Sequence, residues 1–147
     1  MQNMWWKMNF FNVLGSGWLI LWFMGCSVPP SPLSNIQSLP EMTAVPGLTT
    51  GPHGEPVLVY VESTKGTHRL VHQSWNGQGW DSPQLITEDS LMLVNWADRP
   101  SLAFHATGQA YAHWLRLDQR GDFAYSIQTV RSADGGKSWS DSHQPHR

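Results

Sequence analysis

Eight residues near the end of the chain constrain the fold more than any other segment. They are Ser132-Ala133-Asp134-Gly135-Gly136-Lys137-Ser138-Trp139. Gly135 and Gly136 tolerate the positive φ angles of a tight turn, and the Asp134 side chain is suited to accept amide hydrogen bonds across it. Trp139 adds a large rigid face that can pack between hairpins. The segment therefore predicts a hairpin turn in which Asp134 has a structural role.

The chain from about residue 41 onward predicts an all-β fold. Short runs of β-branched and aromatic residues alternate with clusters of Gly, Pro, Asn and Asp. No window sustains helical periodicity after residue 40. We predict strands at residues 56–61, 69–74, 101–104, 110–115 and 123–130.

Several features recur at a spacing of fifty-odd residues. The matching pairs are Gly54 with Gly108 before a strand, Ser74 with Ser132 at the end of one, and Trp80 with Trp139 after a turn. A unit of three or four antiparallel strands repeated in this way is typical of β-propeller blades. The alternative is a plain meander whose turns look alike because all tight turns use Asn, Asp and Gly.

The segment ending at Trp139 resembles the Asp box (BNR repeat), Ser-x-Asp-x-Gly-x-Thr-Trp, of sialidases (neuraminidases) and related β-propellers. Ser132, Asp134, Gly136 and Trp139 match the motif, and Ser138 stands where the family has Thr. Residues 74–80 would be a degenerate second copy that lacks the Asp. The resemblance implies a sialidase-like β-propeller fold, in which the box is a fold-making turn remote from the catalytic face.

The resemblance extends over roughly residues 96–141 and implies a set of site residues. Arg99 and Pro100 resemble the Arg-Ile-Pro sequence at the start of a sialidase blade, without the Ile. In that family the arginine binds the substrate carboxylate, and a guanidinium can do so through two parallel hydrogen bonds. Arg116 falls where the family places another active-site arginine. Asp122, or alternatively Asp118, falls in the loop that carries the acid/base Asp. The alternatives are that Arg99 is a solvated residue before a proline, that Arg116 is an exposed strand residue, and that both aspartates are ordinary turn residues.

The implied site is incomplete in this chain. A glycosidase needs a second catalytic group, which in sialidases is a Tyr assisted by Glu, and all three tyrosines here lie in strand patterns. The family's propeller closes with six blades, whereas residues 41–147 supply about two. We therefore expect an N-terminal portion of a longer protein, inactive alone, whose partners include the missing downstream blades.

The first 40 residues differ in composition from the rest, with a single charged residue, Lys7, and four of the nine tryptophans. The apolar run at residues 13–25 is short for a bilayer span. The residues before Cys26 resemble a bacterial lipobox, which predicts a signal helix at 1–26 with lipid attached to Cys26. An ordinary signal peptide, an uncleaved anchor and a buried thiol are the alternatives. Residues 27–40 are Pro- and Ser-rich and predict an extended tether to a domain at 41–147.

Composition argues against other classes of function. The 9 basic and 11 acidic residues are scattered, which is unlike a nucleic-acid-binding surface, and one cysteine permits neither an internal disulfide nor a cysteine-based zinc site. His68 and His72 would lie about 13 Å apart on a strand, too far to share a metal. We expect surface histidines and no metal or cofactor.

The expected function is that of an exported, lipid-anchored protein of the bacterial cell envelope, similar to sialidases, that acts on terminal sialic acid or related sugars. The alternative is a non-catalytic Asp-box propeller that binds carbohydrate or protein, because a fold alone does not fix function.

Overall fold

The computed structural model describes residues 43–118, 120 and 124–145, which form two antiparallel sheets and contain no helix. The all-β prediction is confirmed. The leader with Cys26, the tether at 27–40 and Asp122 lie outside the described residues. The first sheet has the order β1 (Thr43–Thr50), β2 (Pro56–Thr64), β3 (Thr67–Ser74) and β4 (Gln84–Asp89), and the second has β5 (Ser101–Phe104), β6 (Ala110–Leu117) and β7 (Tyr125–Ser132).

Two of the strands, β1 and β4, were not expected from the sequence. Strand β1 contains Pro46 and Gly47, which weaken a strand pattern, and its register shifts between Ala44 and Gly47. At this bulge Val45 has a positive φ of 47°. Pairing with β2 therefore makes this segment a strand, because a bulge absorbs residues that a regular ladder does not accommodate.

The second sheet is extended by two short segments. Thr129 in β7 and His143 exchange backbone hydrogen bonds of 2.8 Å in both directions, as at the start of a fourth strand. On the other side of β6, residues 91–93 pair with the part of β6 that extends past the short β5. Leu93 N–H donates to Leu115 O and Leu117 N–H donates to Leu91 O, each at 2.8 Å. The connection between the sheets is thus hydrogen-bonded into the second sheet.

The hydrophobic core is built by one face of each sheet. Because alternate strand residues share a face, β2 contributes three valines at every second position, and β6 contributes Ala110, Ala112 and Trp114. Trp114 is 1% exposed and is the largest of the fully buried side chains. The members from both sheets are Val57, Val59, Val61, Leu70, Ile86, Met92, Leu102, Ala110, Ala112, Trp114 and Val130.

The turns before β2 and β6 have the same backbone structure. Gly54 and Gly108 have φ angles of 86° and 85°, and each donates its N–H to the carbonyl three residues earlier, at 3.1 and 2.9 Å. Each turn is then closed by a second backbone bond, of 2.8 Å to Glu55 O and 2.7 Å to Gln109 O. The two glycines that the sequence pairs therefore lie in turns of the same backbone structure.

Candidate functional site

The segment that resembles the Asp box, called the box below, is a turn closed by the side chains of Ser132 and Asp134. Asp134 Oδ1 accepts the N–H groups of Lys137 at 3.0 Å and Ser138 at 2.9 Å, and the Ser132 hydroxyl at 2.7 Å. The Ser138 hydroxyl donates to the other carboxylate oxygen, and Gly136 N–H donates to Ser132 Oγ at 2.8 Å. These hydrogen bonds, above all those from Ser138, lower the pKa of the Asp134 carboxyl well below its usual value. The ionised carboxylate thus organises the turn.

The box is fastened to the first sheet through His72 on β3. The carbonyl oxygen of Gly136 lies 3.1 Å from both the indole nitrogen of Trp139 and Nε2 of His72. The His72 ring also meets Phe104 and Trp139 edge-on, with centroids 6.0 and 6.3 Å apart. His72 is 4% exposed, so the expectation of a surface histidine is wrong at this position. In the structure His72 shares a face of the first sheet with Val59, and a turn 64 residues later in the sequence covers it.

The hydrogen bond to Gly136 determines which ring nitrogen of the neutral His72 carries the hydrogen. A carbonyl oxygen only accepts, so Nε2 carries the hydrogen, and Nδ1 is buried without a partner among the described residues. Burial lowers the pKa of His72 below its ordinary value of 6.5, although the Gly136 bond partly opposes this effect. Packing of the two sheets against the ring therefore favours the neutral form of His72.

We expect stability to fall on acidification because of His72. Between its lowered folded pKa and 6.5, the unfolded chain binds a proton at this site that the folded chain does not, so the free energy of unfolding decreases as pH falls through that window. Urea unfolding at pH 7.5 and 5.5 measures the difference. The difference in stability between the two pH values should be smaller in His72→Gln, whose amide can donate to Gly136 O but does not titrate. An unchanged difference in that variant would assign the acid sensitivity to other groups.

The corresponding turn of the first sheet uses Asn76 where the box has Asp134. Asn76 Oδ1 accepts the N–H groups of Gln78 and Gly79, both at 3.0 Å, and Trp75 and Trp80 pack edge to face with centroids 5.4 Å apart. The turn is therefore held by the same kind of acceptor, in one fewer residue. The spacing Ser74-x-Asn76 could have indicated this turn, because an asparagine oxygen accepts amide hydrogen bonds as a carboxylate does.

The candidate arginines lie at the opposite end of the second sheet from the box. Gly135 N–H donates to Gly108 O at 2.8 Å, which joins the box to the turn between β5 and β6. Arg99 comes just before β5 and Arg116 lies near the end of β6. Since these strands are antiparallel, with Ser101 opposite His113, both arginines belong to the other end.

Arg116 pairs with Asp89 at the end of β4. Its Nε lies 3.1 Å from Asp89 Oδ2, which also accepts the indole N–H of the buried Trp114 at 3.1 Å. Asp89 Oδ1 accepts Leu91 N–H at 2.9 Å. This carboxylate links the two sheets, and a ligand carboxylate would compete with it for Arg116. Asp89 was not among the residues predicted from the sequence.

Asp118 is held by Arg120. The guanidinium donates from Nε at 2.7 Å and from an Nη to the same oxygen, and Arg120 N–H donates to the other oxygen at 3.1 Å. These bonds lower the pKa of Asp118. A general acid at neutral pH needs a raised pKa, so the environment of Asp118 favours an ion pair.

Arg99 borders a groove of about 540 Å³ between β1 and the start of β5. The groove is lined by Gly47, Leu48, Thr49, Val59, Ala97, Arg99, Pro100, Ser101 and Leu102. The Arg99 guanidinium is exposed, and its contact is a long hydrogen bond of 3.5 Å to Pro46 O. None of the carboxylates that the structure describes pairs with it. Its charge is therefore available to an anionic ligand.

The described residues hold no group of three or more His, Cys, Asp or Glu side chains that could bind a metal ion. Within the same residues no helix has the length and apolar character needed to cross a bilayer. Neither the protein-family models nor the curated protein sequences contain a match to this chain.

Proposed function

We propose that the two sheets are adjacent blades of a sialidase-like Asp-box β-propeller. Each sheet is an antiparallel meander with the same glycine turn before its second strand and a side-chain-closed turn after its third. The first strands of the two sheets, β1 and β5, lie next to each other. Neighbouring blades around a central axis would have this arrangement.

The face of the second sheet that points away from the first sheet is evidence for further blades. Four large apolar side chains on this face are substantially exposed: Tyr111 at 54%, Leu117 at 43%, Tyr125 at 55% and Ile127 at 43%. Counting from Gly54 and Gly108, Tyr111 corresponds to Val57, which is fully buried against the second sheet. The proposal therefore includes downstream blades of the same fold, the first of which would cover this face.

The ligand we propose is a sugar carrying a carboxylate, bound at the groove beside Arg99. The observation that carries this proposal is an exposed guanidinium, without a carboxylate partner among the described side chains, at the groove between the first strands of the two sheets. A planar guanidinium binds a carboxylate through two parallel hydrogen bonds, and a polar groove suits the sugar hydroxyls.

For this part of the chain we propose binding without hydrolysis. Arg116 is engaged with Asp89, and the lowered pKa of Asp118 suits an ion pair better than proton donation. Hydrolysis would depend on Asp122 and on a second catalytic group. Export and a lipid anchor at Cys26 complete the proposal and would place the sugar-binding domain at a membrane surface.

The test is the affinity of the full chain, in mild detergent, for sialyllactose, measured by calorimetry beside lactose. Arg99→Ala should weaken binding of sialyllactose by about tenfold or more, the effect of losing charge-assisted hydrogen bonds. Arg99→Lys should recover part of the loss. The matched control is Arg131→Ala, which removes an exposed arginine at the box end of the second sheet.

Equal affinity for sialyllactose and lactose, or an Arg99→Ala variant that binds as the parent does, would contradict the proposed site. Release of a fluorogenic sialoside's dye by this chain, abolished in Asp122→Asn, would favour the hydrolase instead.

A further inference from the structure

Trp96 is presented to solvent by a well-fixed turn. It is 87% exposed, the highest value among the large hydrophobic side chains that the structure describes. The preceding Asn95 accepts the N–H groups of Ala97 and Asp98, both at 2.8 Å, and its own amide donates to Asp98 Oδ2 at 3.0 Å. These three bonds fix the backbone on both sides of the indole.

An indole in this position is a source of binding energy. Tryptophan is highly buried on average, and burying the side chain of Trp96 against a ligand would remove a large apolar surface from water. Since Asn95 already orders the turn, binding of a ligand would cause little further loss of conformational entropy there. The flat, apolar indole face suits the C–H face of a sugar ring.

The position of the turn links it to the groove. Ala97, the next residue, lines the groove, and Arg99 follows two residues later on the same connection between the sheets. The two groups offer complementary chemistry: a cation for the ligand's carboxylate and an aromatic plane for its ring or for the adjoining sugar.

We propose that Trp96 is a stacking platform for the sugar whose carboxylate binds Arg99. This inference rests on the proposed function and adds a second contact that does not depend on ligand charge. Trp96 therefore sets affinity for the sugar ring, whereas Arg99 sets preference for the acid.

The experiment compares sialyllactose with its methyl ester, which keeps the ring but removes the negative charge. Affinities are measured for the full chain and for Trp96→Ala, Trp96→Phe and Arg99→Ala. Trp96→Ala should weaken both ligands by a similar factor, roughly tenfold, and Trp96→Phe should retain most of the affinity. Arg99→Ala should weaken the acid alone. The control is Tyr111→Ala, which removes an aromatic side chain, 54% exposed, at the box end of the sheet.

The outcomes separate the two proposals. Acid binding that depends on Arg99 but is unchanged in Trp96→Ala overturns the stacking platform and leaves the proposed function in place. The same holds if Tyr111→Ala weakens binding as much as Trp96→Ala does. Failure of the parent chain to bind either ligand overturns the proposed function, and the platform with it. Thermal melts of Trp96→Ala should match those of the parent, because the indole is exposed.

Discussion

Replacing Gly136 with alanine should lower the free energy of unfolding by about 3 kcal/mol, through backbone strain combined with overpacking. Gly136 has a φ of 89°, which L-amino acids rarely adopt. A Cβ there would lie 2.9 Å from Nε2 of His72 and 3.1 Å from its Cε1. Because Phe104 and Trp139 pack against the same ring, His72 cannot move aside without disturbing the contact between the sheets. Urea unfolding followed by tryptophan fluorescence measures the loss.

Gly135→Ala is the matched control. Gly135 has a similar φ of 79°, but a Cβ there would meet no atom within 4 Å. Its replacement should cost about 1 kcal/mol, from backbone strain alone. Equal losses in the two variants would show that the turn conformation, and not the contact with His72, makes Gly136 necessary.

The second large effect is expected at Asp89. Asp89→Ala should lower the free energy of unfolding by about 2–3 kcal/mol, because the buried indole N–H of Trp114 loses its acceptor while Arg116 loses its partner. Chemical denaturation measures this difference. Asp89→Asn keeps a side-chain oxygen and should recover part of the stability.

Glu88→Ala is the neighbouring control on β4. The Glu88 side chain is 55% exposed and its ion pair with Arg69 is 4.0 Å long, so the cost should stay below about 0.5 kcal/mol. An Asp89→Ala variant as stable as Glu88→Ala would mean that the carboxylate does not hold the sheets together.

Local sequence was sufficient for much of the fold. Strands β2 and β6 are rich in β-branched or aromatic residues and end at glycine or polar turns, so their pattern predicts them without knowledge of neighbours. The turn at residues 132–139 was equally predictable because its side-chain hydrogen bonds join residues at most four apart. By contrast, β1 and β4 are strands because their neighbours pair with them.

The candidate site was less predictable for a related reason. The resemblance drew attention to Arg99 and Arg116, and the structure places both at one end of the second sheet. The partner of Arg116 is 27 residues away on the other sheet, and the bond depends on how the sheets pack. The burial of His72 and the exposure of Trp96 arise in the same way, since neither follows from its own sequence neighbours.

Residues 91–93 bear on how the groove would respond to a ligand. A connection that merely spanned two layers would act as a hinge, and the gap between β1 and β5 could widen or narrow freely. Here residues 91–93 are hydrogen-bonded to Leu115 and Leu117, so the part of the connection that could act as a hinge is shorter. We therefore expect the groove to keep much of its width when it is empty, so that a ligand binds a site that is already formed.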